Sequence, residues 1–131
     1  MSQENVEVLK ASLAAWNAGD MDAFRELNDP NVIMWPVEGW PEPGPFVGRE
    51  AVMRQFALQR DAFDFDNAEP VGEFIGVGDR VLVRLVYSGS GRGPEASMEM
   101  TLMVTVRKGK IVYREYFRDH AEALAAVALS E

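Results

Sequence analysis

The sequence predicts a single α+β domain, residues 1–131, in which helices cover one side of a curved antiparallel sheet. Apolar residues in the first half recur at steps of three and four, which is the period of helices. The second half instead contains four β-rich segments separated by short turns. Because helices and strands are segregated along the chain, the fold class is α+β. Such an arrangement leaves a concave apolar space between sheet and helices.

Two helices are predicted at the start of the chain. The first spans 4–18 and places four apolar side chains on one face, namely Val6, Leu9, Leu13 and Trp16. Gly19 is a typical helix-ending residue, and Asp20 can cap a short second helix. The apolar positions of that second helix are Met21, Phe24 and Leu27.

A short strand, a loop and a third helix follow. A turn at 28–31 precedes an apolar strand at 32–35. The range 36–48 contains four prolines and three glycines, which excludes a helix or a central strand. Its two large aromatic residues, Trp40 and Phe46, indicate an ordered loop. Helical spacing resumes at 49–61.

Four strands and a final helix are predicted in the second half. The strands span 67–75, 80–88, 95–107 and 110–117. The last two are joined by a very short turn, so they form an antiparallel hairpin. Asp119 is followed three residues later by Glu122, a capping-box pattern that opens a helix ending at Leu129.

Composition excludes several classes of function. The net charge of −8 argues against nucleic acid and anionic membranes as partners, because both require clustered Lys and Arg. The chain has no cysteine and one histidine, His120, so thiol chemistry and His-cluster metal sites are not expected. No cofactor is predicted. Since neither an apolar run of about 18 residues nor a signal peptide is visible, a cytoplasmic location is expected.

Five motifs carry a family resemblance. They are W-N-A-G-D-M-D at 16–22, G-P-F-V-G-R-E-A-V at 44–52, G-D-R-V at 78–81, R-K-G-K-I-V at 107–112 and D-H-A-E-A-L at 119–124. Together they resemble the nuclear transport factor 2-like proteins, in particular the SnoaL-like branch. The resemblance implies a cone-shaped (cystatin-like) roll with an apolar pocket, and a homodimer formed through the outer sheet face. Members include isomerases, epoxide hydrolases, cyclases and non-catalytic partners, so function has to be argued from the site.

Residues implied by the ketosteroid isomerases of this superfamily are absent. The resemblance places a carboxylate base at position 35, a tyrosine at 12 and a protonated aspartate near 102. This chain has Trp35, Ser12 and Leu102 there. Steroid isomerisation by that mechanism is therefore not expected.

Limonene epoxide hydrolases provide a partial match. Arg84 corresponds to the arginine of their Arg-x-Asp pair, but the acid is missing. The segment Y-R-E-Y-F at 113–117 resembles their last strand and places Glu115 in the water-activating position. Counting without gaps from Lys110 places Tyr116 there instead. Because a slip of one residue moves a side chain to the other face, both residues remain candidates.

The remaining candidates are one acid and two strand arginines. SnoaL-type cyclases have an acid after the last strand, where this chain has Asp119, although a helix cap is its more ordinary role. If Arg84 and Arg114 face inward, they need carboxylate partners or an anionic ligand. If they face outward, they belong to the solvent or dimer face. The catalytic candidates are therefore Glu115, Asp119, Arg84, Arg114 and Tyr116.

Large apolar side chains are predicted to form the pocket walls, with plain core packing as the alternative. They are Trp16, Trp35, Trp40, Phe56, Phe63, Met98, Met100 and Leu102. Trp40 would close the pocket if the 36–48 loop acts as a lid. Two functions follow: acid/base chemistry (cyclisation, isomerisation or epoxide hydration) on a small hydrophobic molecule, or non-catalytic binding of such a ligand by a dimeric accessory protein.

Overall fold

The computed structural model describes residues 2–62, 65–89 and 97–129. Its elements are α1 (Ser2–Ala18), α2 (Met21–Leu27), β1 (Asn28–Trp35), β2 (Phe46–Val47), α3 (Arg49–Ala62), β3 (Asn67–Val77), β4 (Arg80–Ser88), β5 (Ser97–Arg107), β6 (Lys110–Phe117) and α4 (His120–Leu129). The predicted α+β class is confirmed, and each predicted helix is present with boundaries that differ by one or two residues.

The six strands form one curved sheet in the order β2-β1-β6-β5-β4-β3. All neighbouring pairs are antiparallel except β1 and β6, which are parallel. The prediction of a wholly antiparallel sheet is corrected at this one pair. Parallel strands need a long connection. The chain between β1 and β6 provides it, since it contains β2, α3, β3, β4 and β5.

The edge of the sheet near β1 differs most from prediction. β1 begins at Asn28, inside the predicted turn, and it tolerates Pro30 because its pairing with β6 is irregular between Asn28 and Ile33. The predicted loop contains the two-residue strand β2, in which Phe46 pairs with Met34. An edge position requires pairing on one side only, so a proline-rich segment can supply it.

Helices cover both faces of the sheet. We name the face toward α1 and α3 the inner face, and the face toward α4 the outer face. Successive residues of β4 point to opposite faces. Val81 and Val83 belong to the main core on the inner face, whereas Leu82 belongs to a smaller core on the outer face. That outer core also contains Met103, Ala123 and Val127. The expectation of helices on one side is therefore corrected: α4 packs outside.

Both aspartates predicted as helix caps take that role. The Asp20 carboxylate accepts a hydrogen bond from the Ala23 amide at 3.1 Å, and the Asp119 carboxylate accepts one from the Ala121 amide at 2.8 Å. Gly19 between α1 and α2 has φ +73°, a conformation that favours glycine at a helix end. Local hydrogen bonds therefore fix where α2 and α4 begin, and the sequence pattern predicts both positions.

Candidate functional site

A small and mainly apolar cavity lies between the inner face and the helices. Its lining residues are Met34, Pro36, Val37, Trp40, Gln55, Phe56, Gln59, Met100 and Tyr116. The space open to the centre of a water-sized sphere is about 20 Å³, enough for roughly one water molecule. A larger ligand therefore requires a side chain to move.

Trp40 and Val37 line both this inner cavity and a second cavity of about 160 Å³. The second cavity is lined by Val37, Gly39, Trp40, Pro41, Phe65, Met98 and Arg118. The Trp40 indole N–H donates a hydrogen bond to Gln55 Oε1 at 2.8 Å, which ties the 36–48 loop to α3.

Arg114 lies behind the inner cavity as a buried cation, with 1% of its surface exposed. Its Nε donates to Asn28 Oδ1 at 2.8 Å and its Nη2 donates to Ser12 Oγ at 2.9 Å. The rings of Phe24 and Phe56 lie 4.9 and 5.2 Å from the guanidinium carbon, within cation–π range. Among the described residues, no carboxylate forms an ion pair with it.

Tyr116 connects this cation to the inner cavity. Its hydroxyl accepts a hydrogen bond from Arg114 Nη1 at 3.4 Å, and its ring is part of the cavity wall. Tyr87 on β4 is buried on the same face and interacts electrostatically with Tyr116. Burial raises the pKa of Tyr87 well above its usual value, the interactions with Tyr116 add to the rise, and the nearby charge of Arg114 opposes it. The three side chains thus form one buried polar row on the inner face.

Glu115 lies on the outer face because it alternates with Arg114 and Tyr116 along β6. Its carboxylate accepts a hydrogen bond from the Tyr113 hydroxyl at 2.8 Å. Burial and this hydrogen bond raise the pKa of Tyr113 well above its usual value. Glu115 lines an outer cavity of about 430 Å³ together with Arg80 and Tyr113, and it has no place in the inner cavity.

A bulge interrupts the pairing of β5 with β6. Thr105 pairs with Tyr113 while Val106 pairs with Ile111, so Val112 is an extra residue at a bulge. Beyond the bulge, Arg114 and Tyr116 both lie on the inner face, opposite Val104 and Leu102 of β5.

Arg84 takes the outward alternative. Its Nε and Nη2 donate to Glu99 Oε2 at 3.1 and 2.6 Å, and both side chains are exposed. Asp119 is also exposed and caps α4, next to His120, whose Nδ1 lies 2.9 Å from Thr101 Oγ1. Neither Arg84 nor Asp119 lines the inner cavity.

The predicted wall residues divide into several groups. Trp40, Phe56 and Met100 line the inner cavity, and Met98 lines the second cavity beyond Trp40. Trp16 stacks edge-on against Phe56, with ring centroids 5.4 Å apart, and Leu102 is fully buried in the main core.

Two predicted wall residues need separate mention. Trp35 is 42% exposed on the outer face, because it alternates with the inward-facing Met34. Its prediction as a pocket wall is corrected by this alternation. Phe63 lies outside the described residues.

Sequence reasoning missed several polar residues of the site. Gln55 and Gln59 line the inner cavity from α3, and Ser12 and Asn28 are buried partners of Arg114. The available signal for Gln55 was its position between Val52 and Phe56 on the apolar helix face. Asn28 resembled a turn residue, and nothing local indicated that it begins a strand.

Residues 2–62, 65–89 and 97–129 contain neither a cluster of metal ligands nor a membrane-spanning helix. In these ranges no three His, Cys, Asp or Glu residues cluster as metal ligands. No helix there has the length and apolar composition required to cross a membrane.

Comparisons with known proteins agree with this architecture. A proposed polyketide cyclase from Sinorhizobium meliloti is 26% identical, with a TM-score of 0.69 over 84% of this chain and 93% of that one. An NTF2-like protein of unknown function from Mesorhizobium loti is 18% identical, with a TM-score of 0.70 over 88% and 91%. TerC, co-crystallised with polyporic acid, is 24% identical, with a TM-score of 0.70 over 95% and 98%.

Sequence comparison identifies the family. No curated protein sequence matches the chain. The sequence profile of the SnoaL-like domain, however, matches residues 9–114, which is more than half of the molecule. Together with the NTF2-like architecture of its structural neighbours, this match shows that the chain belongs to the SnoaL-like domain family.

Proposed function

We propose that the protein binds a small hydrophobic molecule in the inner cavity, which enlarges when Trp40 swings away. The observation that carries this proposal is that Trp40 lines two cavities, of about 20 and 160 Å³. The Trp40 indole is part of the wall of both spaces, and its hydrogen bond to Gln55 ties it to α3. Rotation of one side chain is a common change on ligand binding.

The chemistry of the walls supports an apolar ligand. Met34, Phe56 and Met100 supply apolar surface, and methionine side chains adapt to varied ligand shapes. Tyr116 supplies a hydroxyl that can orient a polar group, which fits the usual pattern of few polar groups in an apolar pocket. TerC, which shares the fold, was crystallised with an organic acid, polyporic acid.

Acid/base catalysis on that ligand is the second candidate function. Tyr116 favours it, because among the described residues it is the one titratable side chain that lines the inner cavity. Cyclisation, isomerisation and epoxide hydration each require a group that donates or accepts a proton at the ligand. Glu115 and Asp119 lie elsewhere, so Tyr116→Phe should abolish any turnover that Glu115→Gln and Asp119→Asn leave intact.

Native mass spectrometry tests binding directly. The protein is mixed with terpenoid, steroid and aromatic polyketide-like compounds, and we expect one bound apolar molecule per subunit. Release of the compound unaltered favours binding alone, whereas steady formation of a product favours an enzyme. The absence of any bound mass would contradict the proposal.

Fluorescence tests the role assigned to Trp40. The ligand-induced change in tryptophan emission should disappear in Trp40→Phe. It should persist in the matched control Trp35→Phe, which removes an exposed indole from the outer face. A change of undiminished size in Trp40→Phe would contradict the role assigned to Trp40.

A further inference from the structure

The buried charge of Arg114 has only neutral partners among the described residues. Its guanidinium is held by an amide oxygen, two hydroxyl groups and two aromatic rings. A buried ion is costly unless an opposite charge compensates it. The inner face therefore carries a positive charge next to a cavity whose walls contain no acid in the described residues.

Tyr116 is positioned to transmit this charge to a ligand. A phenol hydroxyl has two acceptor sites and one proton. Arg114 donates a hydrogen bond to the Tyr116 oxygen. That bond uses an acceptor site of the hydroxyl and leaves its proton for an occupant of the cavity. The cationic donor behind Tyr116 strengthens the hydrogen bond that this proton can give.

Gln59 supplies an independent observation on the same cavity. Its side-chain nitrogen Nε2 is buried and has no hydrogen-bond partner within the described part of the chain. Gln59 also lines the inner cavity. A buried amide donor without an acceptor is destabilising, and a ligand oxygen would relieve that cost.

We propose that the ligand of the inner cavity is an apolar molecule with one anionic oxygen group, such as a carboxylate, that accepts hydrogen bonds from Tyr116 and Gln59. This inference rests on the proposed function and specifies the ligand class. Carboxylate, phenolate and enolate oxygens share the required chemistry. The net charge of −8 opposes such a ligand only weakly at the buried site, because exposed charges are screened beyond roughly 8 Å at physiological salt.

Three single-ring probes of matched shape test the inference by calorimetry. They are p-toluate, which has a carboxylate, 4-methylacetophenone, which has a neutral carbonyl, and p-xylene, which has no oxygen. We expect p-toluate to bind about tenfold or more tightly than p-xylene, with the ketone between them. Equal affinities of p-toluate and p-xylene would overturn the inference and leave the proposed function standing. If no probe binds more tightly than about 1 mM, both fail.

Four variants identify the groups responsible. Tyr116→Phe and Gln59→Met should each reduce the preference for p-toluate several-fold without weakening p-xylene. Arg114→Met, which keeps a long side chain, should remove the advantage of p-toluate over the ketone. Tyr113→Phe removes a hydroxyl from the outer face and should behave as the wild type.

Folding of each variant is checked by circular dichroism and thermal melting. If Arg114→Met does not fold, Tyr116→Phe and Gln59→Met still decide the matter. An undiminished preference for p-toluate in both of those variants would overturn the assignment of the anionic group to this cavity.

Discussion

Two of the three tyrosines, Tyr87 and Tyr113, hold their protons more tightly than free tyrosine does. In both cases burial is the main cause, since an ionised phenolate would lose its hydration. The folded state therefore keeps protons that the unfolded state releases near pH 10. Stability from this source is fully present below pH 10 and is lost as the pH rises toward the higher folded pKa values.

We therefore predict that the free energy of unfolding falls steeply above about pH 10. Denaturant titrations at several alkaline pH values measure this dependence. Tyr113→Phe should make the fall shallower, because one of the two raised groups is removed. In an ultraviolet absorbance titration, the Tyr113 phenolate of the wild type should form only above the usual pH range of tyrosine. Tyr113→Phe should lack this late increase in absorbance. Ionisation of Tyr113 near pH 10 in the folded protein would contradict the prediction.

Asp119 illustrates how one residue can fit two roles. Its carboxylate accepts the Ala121 amide proton at 2.8 Å, and the residue lies away from the inner cavity. We predict that Asp119→Ala lowers the free energy of unfolding by about 1 kcal/mol, the usual value of an N-cap. Asp119→Asn should lower it much less, because an amide oxygen also caps helices. Ligand affinity should not change in either variant, and a loss of binding in Asp119→Asn would restore its candidacy for the site.

For single side chains on strands, the sequence alone does not decide which face of the sheet they occupy. Both orientations of Arg114 were consistent with its strand, and only packing against Ser12 and Asn28 decides between them. Those partners lie 102 and 86 residues away along the chain. Glu115 and Tyr116 were equally open, because alternation identifies two faces without saying which one faces the helices. Local patterns contain no information about such distant partners.

At the scale of elements, helices were the more predictable part. Gly19, Asp20 and Asp119 mark helix ends through local hydrogen bonds, so the sequence reveals them directly. The strand β2 and the parallel pairing of β1 with β6 were missed, since both depend on strands that meet only in the folded sheet. The outer position of α4 was missed for the same reason.

The packing of α4 on the outer face leads to a matched pair of substitutions. Ala123 is fully buried against Leu82 and Met103, whereas Ala125 on the same helix is exposed. We predict that Ala123→Asp costs about 3 kcal/mol of stability, because a charge enters an apolar contact. Ala125→Asp should change stability by less than about 0.5 kcal/mol. Equal effects in denaturant unfolding would show that α4 does not pack as described.

At the scale of the whole molecule, the predicted homodimer remains a prediction. It would use the outer face, where Trp35 on β1 is 42% exposed and Val47 on the neighbouring strand β2 is 65% exposed. We expect light scattering to give twice the chain mass of 14.6 kDa. Trp35→Glu should shift the protein toward the monomer while leaving ligand affinity intact, since the ring lies outside the inner cavity. A monomeric wild type would contradict the prediction.

The parallel pairing of β1 with β6 also affects how the protein folds. Closing this pair requires a chain segment of more than 70 residues to form a loop first, and contacts of such long range slow folding. Met34 and Tyr116, on opposite sides of this seam, both line the inner cavity. The cavity therefore forms only when the sheet closes completely. A ligand in it binds the finished fold and no earlier state, so occupancy should lengthen the lifetime of the native protein.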